Sequence, residues 1–520
     1  MNEKRSYKKV LTKSNYLLGL QCSKLLWVKL YDKTRIPAPD DFAMYRFGTG
    51  MRTEDMAKTL FPDGIDIPRE DFLENLKQST ELLKKRVPLF EPSFKFDQLY
   101  SRGDVLVPVN EDEWDIVEMK SATKVKEVNL HDVSFQKYVY EKCGLKIRKS
   151  FVMHINRDYE RSGDLDISKL FVQTEVTEDI KKLEVGIKER IETMLEIVNS
   201  KEIPKYIIGS HCTDPYECPI KRECWAELPG GNILDYYQKN RIQCFKLGDF
   251  GQVKINRIPE YYSKEHNPFQ KQAVAVQEGN GFEKRVIGKF FDELKYPVYY
   301  LDIRAINPAI PKFDGMRPYQ KIAFQFSLHI QTGPHSNISH VSFLSDGKTN
   351  PRFLLLKILK DHIGSDGTIL VFDKYKESVI LRDLAKTFFS FKPWIYDSVL
   401  PRIKSVWEVF ENFHYFDIEK TLNHSIQFQL PKFCDITDKD LDVIDGEHRQ
   451  LAYEKWVHTD IDELVAESKE DESEISLDFK KGVVEEKVEE VRKDLRKKSR
   501  EETLSLIHIV DAFGKIVEST

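Results

Sequence analysis

The residues best equipped for chemistry are Asp104, Glu118 and Lys120, in the run RGDVLVPVNEDEWDIVEMKSAT. Hard carboxylate oxygens bind divalent cations, and an amine two residues beyond one of them shares its strand face and reaches water or phosphate. Two acids and an amine so spaced are the equipment of a metal-dependent phosphodiesterase. The elements that must position them are also legible. VLVPV (105–109) and DIVEM (115–119) are rich in β-branched residues, and the polar NEDE between them can turn the chain, so the segment reads as a hairpin. Asp104 then enters one strand and Glu118 leaves the other. Taken alone, the spacing is equally that of a solvated hairpin with ordinary surface charges.

The continuation narrows the reading. LHDVSFQKYVYEKCG predicts a helix stopped by Gly144, with Gln136 and Tyr140 one turn apart on one face, and RKSFVMHINR predicts a further strand. Strand, strand, helix, strand, with Asp, Glu-x-Lys and Gln-x-x-x-Tyr at these places, resembles the PD-(D/E)xK nuclease core in its RecB-like branch. The resemblance implies a restriction-endonuclease-like fold for the N-terminal domain, with Gln136 and Tyr140 beside the metal site helping to hold nucleic acid. FGTGMRTEDMAKTLFP looks like the family's first helix, which contributes an acidic or histidine residue. Either Glu54 or Asp55 can fill that place, and Asp55 is preferred. Helix N-termini favour acids in any case. The activity implied is hydrolysis of DNA, single-stranded or with free ends. Mg2+ or Mn2+ would be held by Asp104, Glu118 and the main-chain carbonyl of Met119, with Lys120 positioning the water or helping to deprotonate it.

Three of the seven cysteines crowd into HCTDPYECPIKRECW as Cys212, Cys218 and Cys224, and thiolates gathered in this way bind a metal or a cluster. Cys22, in LLGLQCSKLLW, is the best fourth ligand. One cysteine before the core and three after it resembles the iron-sulfur staple of AddB-type and CRISPR-associated RecB-like nucleases, which implies a 4Fe-4S cluster. The first spacing here is five residues where many relatives have two, and His211 keeps a zinc Cys3His site open as the alternative. Cys143, Cys244 and Cys434 are isolated and read as small core residues.

Composition sets the class. A chain of 520 residues with 41% hydrophobic content can build more than one core. No apolar stretch is long enough to span a bilayer and no secretory h-region is present, so a soluble, cytoplasmic protein is expected. A net charge of −5 confines any nucleic-acid surface to a local basic groove, for which KKRVPLF and KSATKVK are candidates. There is no phosphate-binding Walker loop, so any unwinding requires a helicase or another repair or defence partner.

The expected organisation is an α/β nuclease domain over 1–235, a polar connector over 236–285 and a second domain over 286–520. Within the last, the charged segment 467–502 reads as a solvated linker plus an exposed helix. YPVYYLDIRAINPAI, KIAFQFSLHIQ and SHVSFLSD predict three strands, followed by the helical FLLLKILKDH and the strand GTILVF, an RNase H-like order. YLDIRAINPAIPKFDGMRPYQKIAFQFSLHI, VFDKYKES and IDGEHRQLAYEKW resemble the DEDD exonuclease-like domain fused behind RecB-like nucleases in a largely uncharacterised bacterial family. The resemblance implies metal ligands at Asp302, Asp373 and Glu502. Arg304 stands where the second acid belongs and Lys498 where the tyrosine belongs, so a degenerate second site that binds or scaffolds is expected. The alternative for the whole chain is a non-catalytic nucleic-acid-binding or scaffolding protein.

Overall fold

A computed structural model describes residues 9–69, 71–228, 281–412, 414–416, 446–459 and 477–518. Most of the expected connector, together with Cys244, Cys434 and residues 467–476, lies outside the described residues. The chain is mixed α/β and divides into two compact units. In its described part the first unit runs to residue 228 and includes Ala309–Tyr319, and the second takes the remaining residues from 281 onward.

The strands of the first unit are β1 (Leu11–Thr12), β2 (Ile65–Asp66), β3 (Leu89–Phe90), β4 (Ser93–Phe96), β5 (Leu99–Arg102), β6 (Val105–Pro108), β7 (Glu113–Lys120), β8 (Lys146–Ile155) and β9 (Phe171–Glu175). Six of them form one sheet in the order β2-β3-β6-β7-β8-β9, and β1, β5 and β4 form a smaller one. β6 and β7 are the antiparallel hairpin expected from VLVPV and DIVEM, with Val105 opposite Val117. β8 runs parallel to β7. A parallel neighbour needs a crossover, which here is a helix over Glu127–Lys142. It ends as expected at Gly144, whose φ of 92° is a left-handed conformation suited to glycine.

Strand alternation sorts the side chains of β7 between two cores. Trp114 and Ile116 join the cluster that contains Val133, Phe135 and Val139 of the crossover helix, whereas Val117 and Met119 join one with Val105 and Met153. Glu118 and Lys120 continue the Trp114–Ile116 face, and Asp104 shares the face of Leu106, which is in that same first core. The period of two thus aims all three polar residues at the helical side.

Four more helices are placed around this centre and, with the crossover helix, are numbered α1 (Lys13–Gln21), α2 (Ser23–Tyr31), α3 (Asp41–Lys58), α4 (Phe72–Leu82) and α5 (Glu127–Lys142). α1 leaves β1 directly. The Thr12 hydroxyl caps it by accepting from the Asn15 N–H at 3.1 Å.

The second unit contains β10 (Gly281–Phe282), β11 (Val298–Ile306), β12 (Ile322–Gln331), β13 (Ile338–Leu344), β14 (Thr368–Val371), β15 (Ile403–Ser405) and β16 (Tyr415–Phe416). Five of them form a sheet ordered β13-β12-β11-β14-β15. The first three make an antiparallel meander, and β14 and β15 add in parallel on the far side of β11. Every residue of β11 is buried, as befits the central strand.

Leu477–Glu518 is a single helix of 42 residues, and from Leu495 onward it corrects the expectation of an exposed one. Leu495, Ser499, Thr503, Leu506, Val510 and Phe513 are buried along it. Serine and threonine fill the buried stripe where the surrounding sequence is most charged, so hydrophobic periodicity conceals the inward face. Among the described residues no helix is long and apolar enough to cross a membrane.

Candidate active site in the first unit

β6, β7, α1 and α5 bring together two lysines and three acids. The Asp104 carboxylate accepts from the Met119 N–H at 2.6 Å, tying the entry of one hairpin strand to the exit of the other. Lys120 Nζ is 2.6 Å from Glu118 Oε1 and 3.1 Å from Asp132 Oδ2. Lys13, the first residue of α1, reaches the same carboxylates, with its Nζ 2.8 Å from Glu118 Oε1 and 3.2 Å from Asp132 Oδ1. Glu118 is 1% exposed and Asp132 4%, so the cluster is an ion network withdrawn from water.

Its electrostatics follow from that burial. Desolvation, reinforced by Asp104 and Asp132, pushes the Glu118 carboxyl up to about 8. Burial also pushes Asp132 upward, but Lys13 and Lys120 outweigh it and hold the carboxyl below its ordinary value. Burial alone would lower the Lys120 amine, yet Glu118, Asp132 and Asp104 raise it well above its usual range. Lys120 is therefore an ammonium ion at neutral pH, able to donate hydrogen bonds and unable to accept a proton.

Of the two acids considered on α3, the structure brings Glu54 to the site and leaves Asp55 out, correcting the preference for Asp55. The Asp55 side chain is 67% exposed and faces Lys58 at 3.8 Å. Burial, with the charges of Asp104 and Glu91, pushes Glu54 up to about 7. Thr53 and Ala57 are the buried pair on this helix, which turns position 54 inward and 55 away. Glu91 is a further buried acid, held by Arg69 at 2.6 Å and Arg102 at 3.1 Å.

Gln136 and Tyr140 lie beneath the site rather than on a nucleic-acid surface, since both are 0% exposed. The Tyr140 hydroxyl donates to the Pro92 carbonyl at 2.7 Å and its ring packs edge-on to Phe94. Both ends of the Gln136 amide are buried without a hydrogen-bond partner. Gly103 allows them to fit: a Cβ there would lie 2.7 Å from Gln136 Cδ, closer still to Nε2, and 2.8 Å from the Tyr140 hydroxyl.

Sequence reasoning missed Lys13, Asp132 and Glu91. Asp132 carried a signal, because it precedes Gln136 by four residues and so shares its helix face. Lys13 and Glu91 carried none, since neither sits in a periodic run.

Cys22 caps the junction of α1 and α2, and Cys212, Cys218 and Cys224 are each 6% exposed. Cys22, Cys218 and Cys224 share an apolar cluster with Leu25, Val28 and Ile220. The Cys212 thiol lies 3.9 Å from His211 Nε2. Bonds to Cys212 and Cys22 outweigh burial and push His211 up to about 10. Gln21 Nε2 donates to the His211 carbonyl at 2.8 Å and to the Tyr216 carbonyl at 2.7 Å, fastening the end of α1 to the cysteine loop. Cys143 is half-buried, and burial pushes its thiol up.

Among the described residues, no three or more His, Cys, Asp or Glu side chains are grouped so as to hold a metal ion. The donor types nevertheless suit the expected groups: hard oxygens at Asp104, Glu118 and the Met119 carbonyl for Mg2+ or Mn2+, and four soft sulfurs for zinc or iron.

In the second unit Asp302, Arg304 and Glu502 meet. Arg304 Nε is 2.9 Å from Asp302 Oδ2, and its other arm bonds Glu502, which Arg449 also holds. Lys376 completes the network 3.3 Å from Asp302 Oδ1. Burial would raise the Asp302 carboxyl, but Arg304 and Lys376 hold it well below its ordinary value. Two of the expected residues have partners of their own here. Asp373 caps the following helix, accepting from the Tyr375 N–H at 2.9 Å, and Glu377, 2% exposed, is a further acid that feels Asp302. Lys498 pairs with Asp494 at 2.8 Å, one turn earlier, and the additional cation on Glu502 is Arg449.

A family model described as a domain of unknown function (DUF2779) matches residues 299–421. The match covers Asp302, Arg304 and Glu377 and none of the Asp104–Glu118 site. No curated protein matches the chain.

Proposed function

We propose that the first unit is a metal-dependent DNA nuclease of the RecB-like PD-(D/E)xK type, acting on single-stranded or free-ended DNA. The observation that carries the reading is the convergence of Asp104, Glu118 and Lys120 on one face of the β6–β7 hairpin, with α5 crossing to a parallel β8 behind it. Bound Mg2+ or Mn2+ would supply a polarised water and neutralise charge on the scissile phosphate. Asp104, Glu118 and the Met119 carbonyl would be its ligands, and Glu54, whose carboxyl feels the Asp104 charge, would add a further oxygen. Lys120, kept charged by its acids, donates to the water or the phosphate and so orients the attack. The thiols of Cys22, Cys212, Cys218 and Cys224 would hold a 4Fe-4S cluster, with His211 completing a zinc site as the alternative.

The second unit is proposed to be RNase H-like, a reading supported by its three antiparallel strands extended by two parallel ones. Its acids are occupied by arginine and lysine, which favours a binding or scaffolding role. The same logic supports the second reading of the whole chain, a non-catalytic nucleic-acid-binding protein, because Lys13 and Lys120 occupy Glu118. Degradation of end-labelled single-stranded DNA with Mn2+ separates the two. The nuclease reading expects products from wild type and none from Lys120→Ala. Equal binding with no cleavage by either protein replaces it with the binding reading.

A further inference from the structure

Glu118 is the carboxylate on which the proposed metal centre depends, and both its oxygens are already engaged. Lys13 Nζ lies 2.8 Å from Oε1 and 2.9 Å from Oε2, straddling the carboxylate as a chelated cation does. The Lys13 side chain is only 14% exposed. Stripping an ammonium ion of water is costly unless concentrated negative charge replaces the solvent, and Glu118 and Asp132 provide that charge.

Metal entry requires a free oxygen on Glu118. Lys13 holds both oxygens and Lys120 shares Oε1, so an ion that takes Glu118 as a ligand must replace the Lys13 ammonium. Lys13 is attached where this is feasible. It begins a helix capped by Thr12, so its four-carbon stem can swing while the helix stays in place. Asp132 Oδ1, 3.2 Å away and without a hydrogen bond, offers a place to which the amine can retreat.

We propose that Lys13 is a resident counter-cation that a divalent ion must displace from Glu118, making metal binding an exchange of one cation for another. The inference rests on the reading of Asp104 and Glu118 as metal ligands. It makes Lys13 a positioning residue that holds the Glu118 and Asp132 carboxylates in place until the ion arrives, and it sets the metal affinity by competition.

The test is Mn2+ binding to the full chain, followed by electron paramagnetic resonance at pH 8.5 under argon. Wild type is compared with Lys13→Met, Lys13→Gln, Lys13→Arg and Glu118→Gln. Removing a competing charge at this range is expected to tighten binding by about tenfold or more in Lys13→Met. Lys13→Gln keeps a hydrogen bond to Glu118 and gives the same direction of change if the methionine variant folds poorly. Lys13→Arg restores wild-type affinity, and Glu118→Gln loses the ion. A purely structural lysine predicts the opposite sign, so unchanged or weaker binding in both neutral variants overturns the inference while leaving the metal site intact. Binding that is absent from wild type, or indifferent to Glu118→Gln, overturns the metal reading and the inference with it.

Discussion

Gly103→Ala should disable the first unit through a single methyl group. Gly103 stands immediately before Asp104, and the added Cβ would meet Gln136 and the Tyr140 hydroxyl, the latter at 2.8 Å. Ordinary contact begins near 3.4 Å, so the hydroxyl must retreat by about 0.6 Å and weaken its 2.7 Å bond to the Pro92 carbonyl. Weakening a buried hydrogen bond costs up to about 1 kcal/mol, and forcing a methyl into a filled core costs about 1–3 kcal/mol. The total, about 1–4 kcal/mol, falls on α5, which carries Gln136, Tyr140 and Asp132. A 520-residue chain with two units is not expected to unfold in one step, so the readout is native-state hydrogen exchange of the α5 amides. A loss of about 2 kcal/mol accelerates exchange roughly 30-fold. Because the Gln136 amide has no hydrogen-bond partner to lose, Gln136→Ala should make room for the methyl, and the double variant should recover at least about 1 kcal/mol. Unchanged α5 exchange in Gly103→Ala, or no recovery in the double variant, would refute the packing argument.

Other perturbations test the charge networks. Arg304→Met should destabilise the second unit by several kcal/mol near neutral pH, since it leaves Asp302 and Glu502 short of a buried partner. Asp302 is held below its ordinary value, so this stabilisation is present above the unfolded carboxylate range near pH 4 and fades as pH falls through the folded value. Thermal melts of variant and wild type should therefore converge in acid. Glu54 behaves with the opposite sign, because its carboxyl is pushed up to about 7 and its ionisation costs stability as pH rises from about 4.5 toward 7. In chelator-treated protein Glu54→Gln should raise the melting temperature at pH 8 and leave it unchanged at pH 4, and a pH-independent gain would count against a charged cluster.

The legible part of the site was the part written in strand periodicity. Glu118 and Lys120 are two apart on a strand, and Asp104 is placed across from them by hairpin register, so sequence order suffices to predict their common face. Helix phase is less forgiving: one position separates Glu54, turned inward, from Asp55, turned outward, and only the burial of Thr53 and Ala57 decides between them. Lys13 is out of reach of local reasoning altogether, because it meets Glu118 across 105 residues of chain after a strand of two residues. In the second unit the cation Arg304 was legible beside Asp302, two residues away on one strand. Arg449 was not, because its meeting with Glu502 is made by tertiary packing. The helix Leu477–Glu518 was misjudged because its buried stripe is built partly from Ser499 and Thr503, residues that no hydrophobicity pattern marks as inward.

α1 joins the two candidate centres. It has nine residues, about 13 Å at 1.5 Å per residue. Lys13 at its start is clamped on Glu118, and Gln21 and Cys22 at its end are tied to the cysteine loop. A helix fixed at both ends by specific bonds transmits a displacement of one end to the other, because its own hydrogen bonds resist compression. Under the proposed reading, anaerobically purified wild type should be brown, with iron and sulfide bound, and Cys218→Ala should lose both. Zinc without iron would indicate the site completed by His211. The variant should also loosen Lys13, although residue 218 makes no contact with it. The lysine-specific measure is acylation read by mass spectrometry. In wild type the Lys13 amine is buried and ion-paired and should react slowly, and in Cys218→Ala it should react severalfold faster, while Lys137, paired with Glu184 at 2.6 Å, serves as an internal control. Faster exchange in the cysteine loop with unchanged Lys13 labelling would mean that α1 is held from the Glu118 end alone, and that the thiol cluster stabilises the unit without reaching its carboxylates.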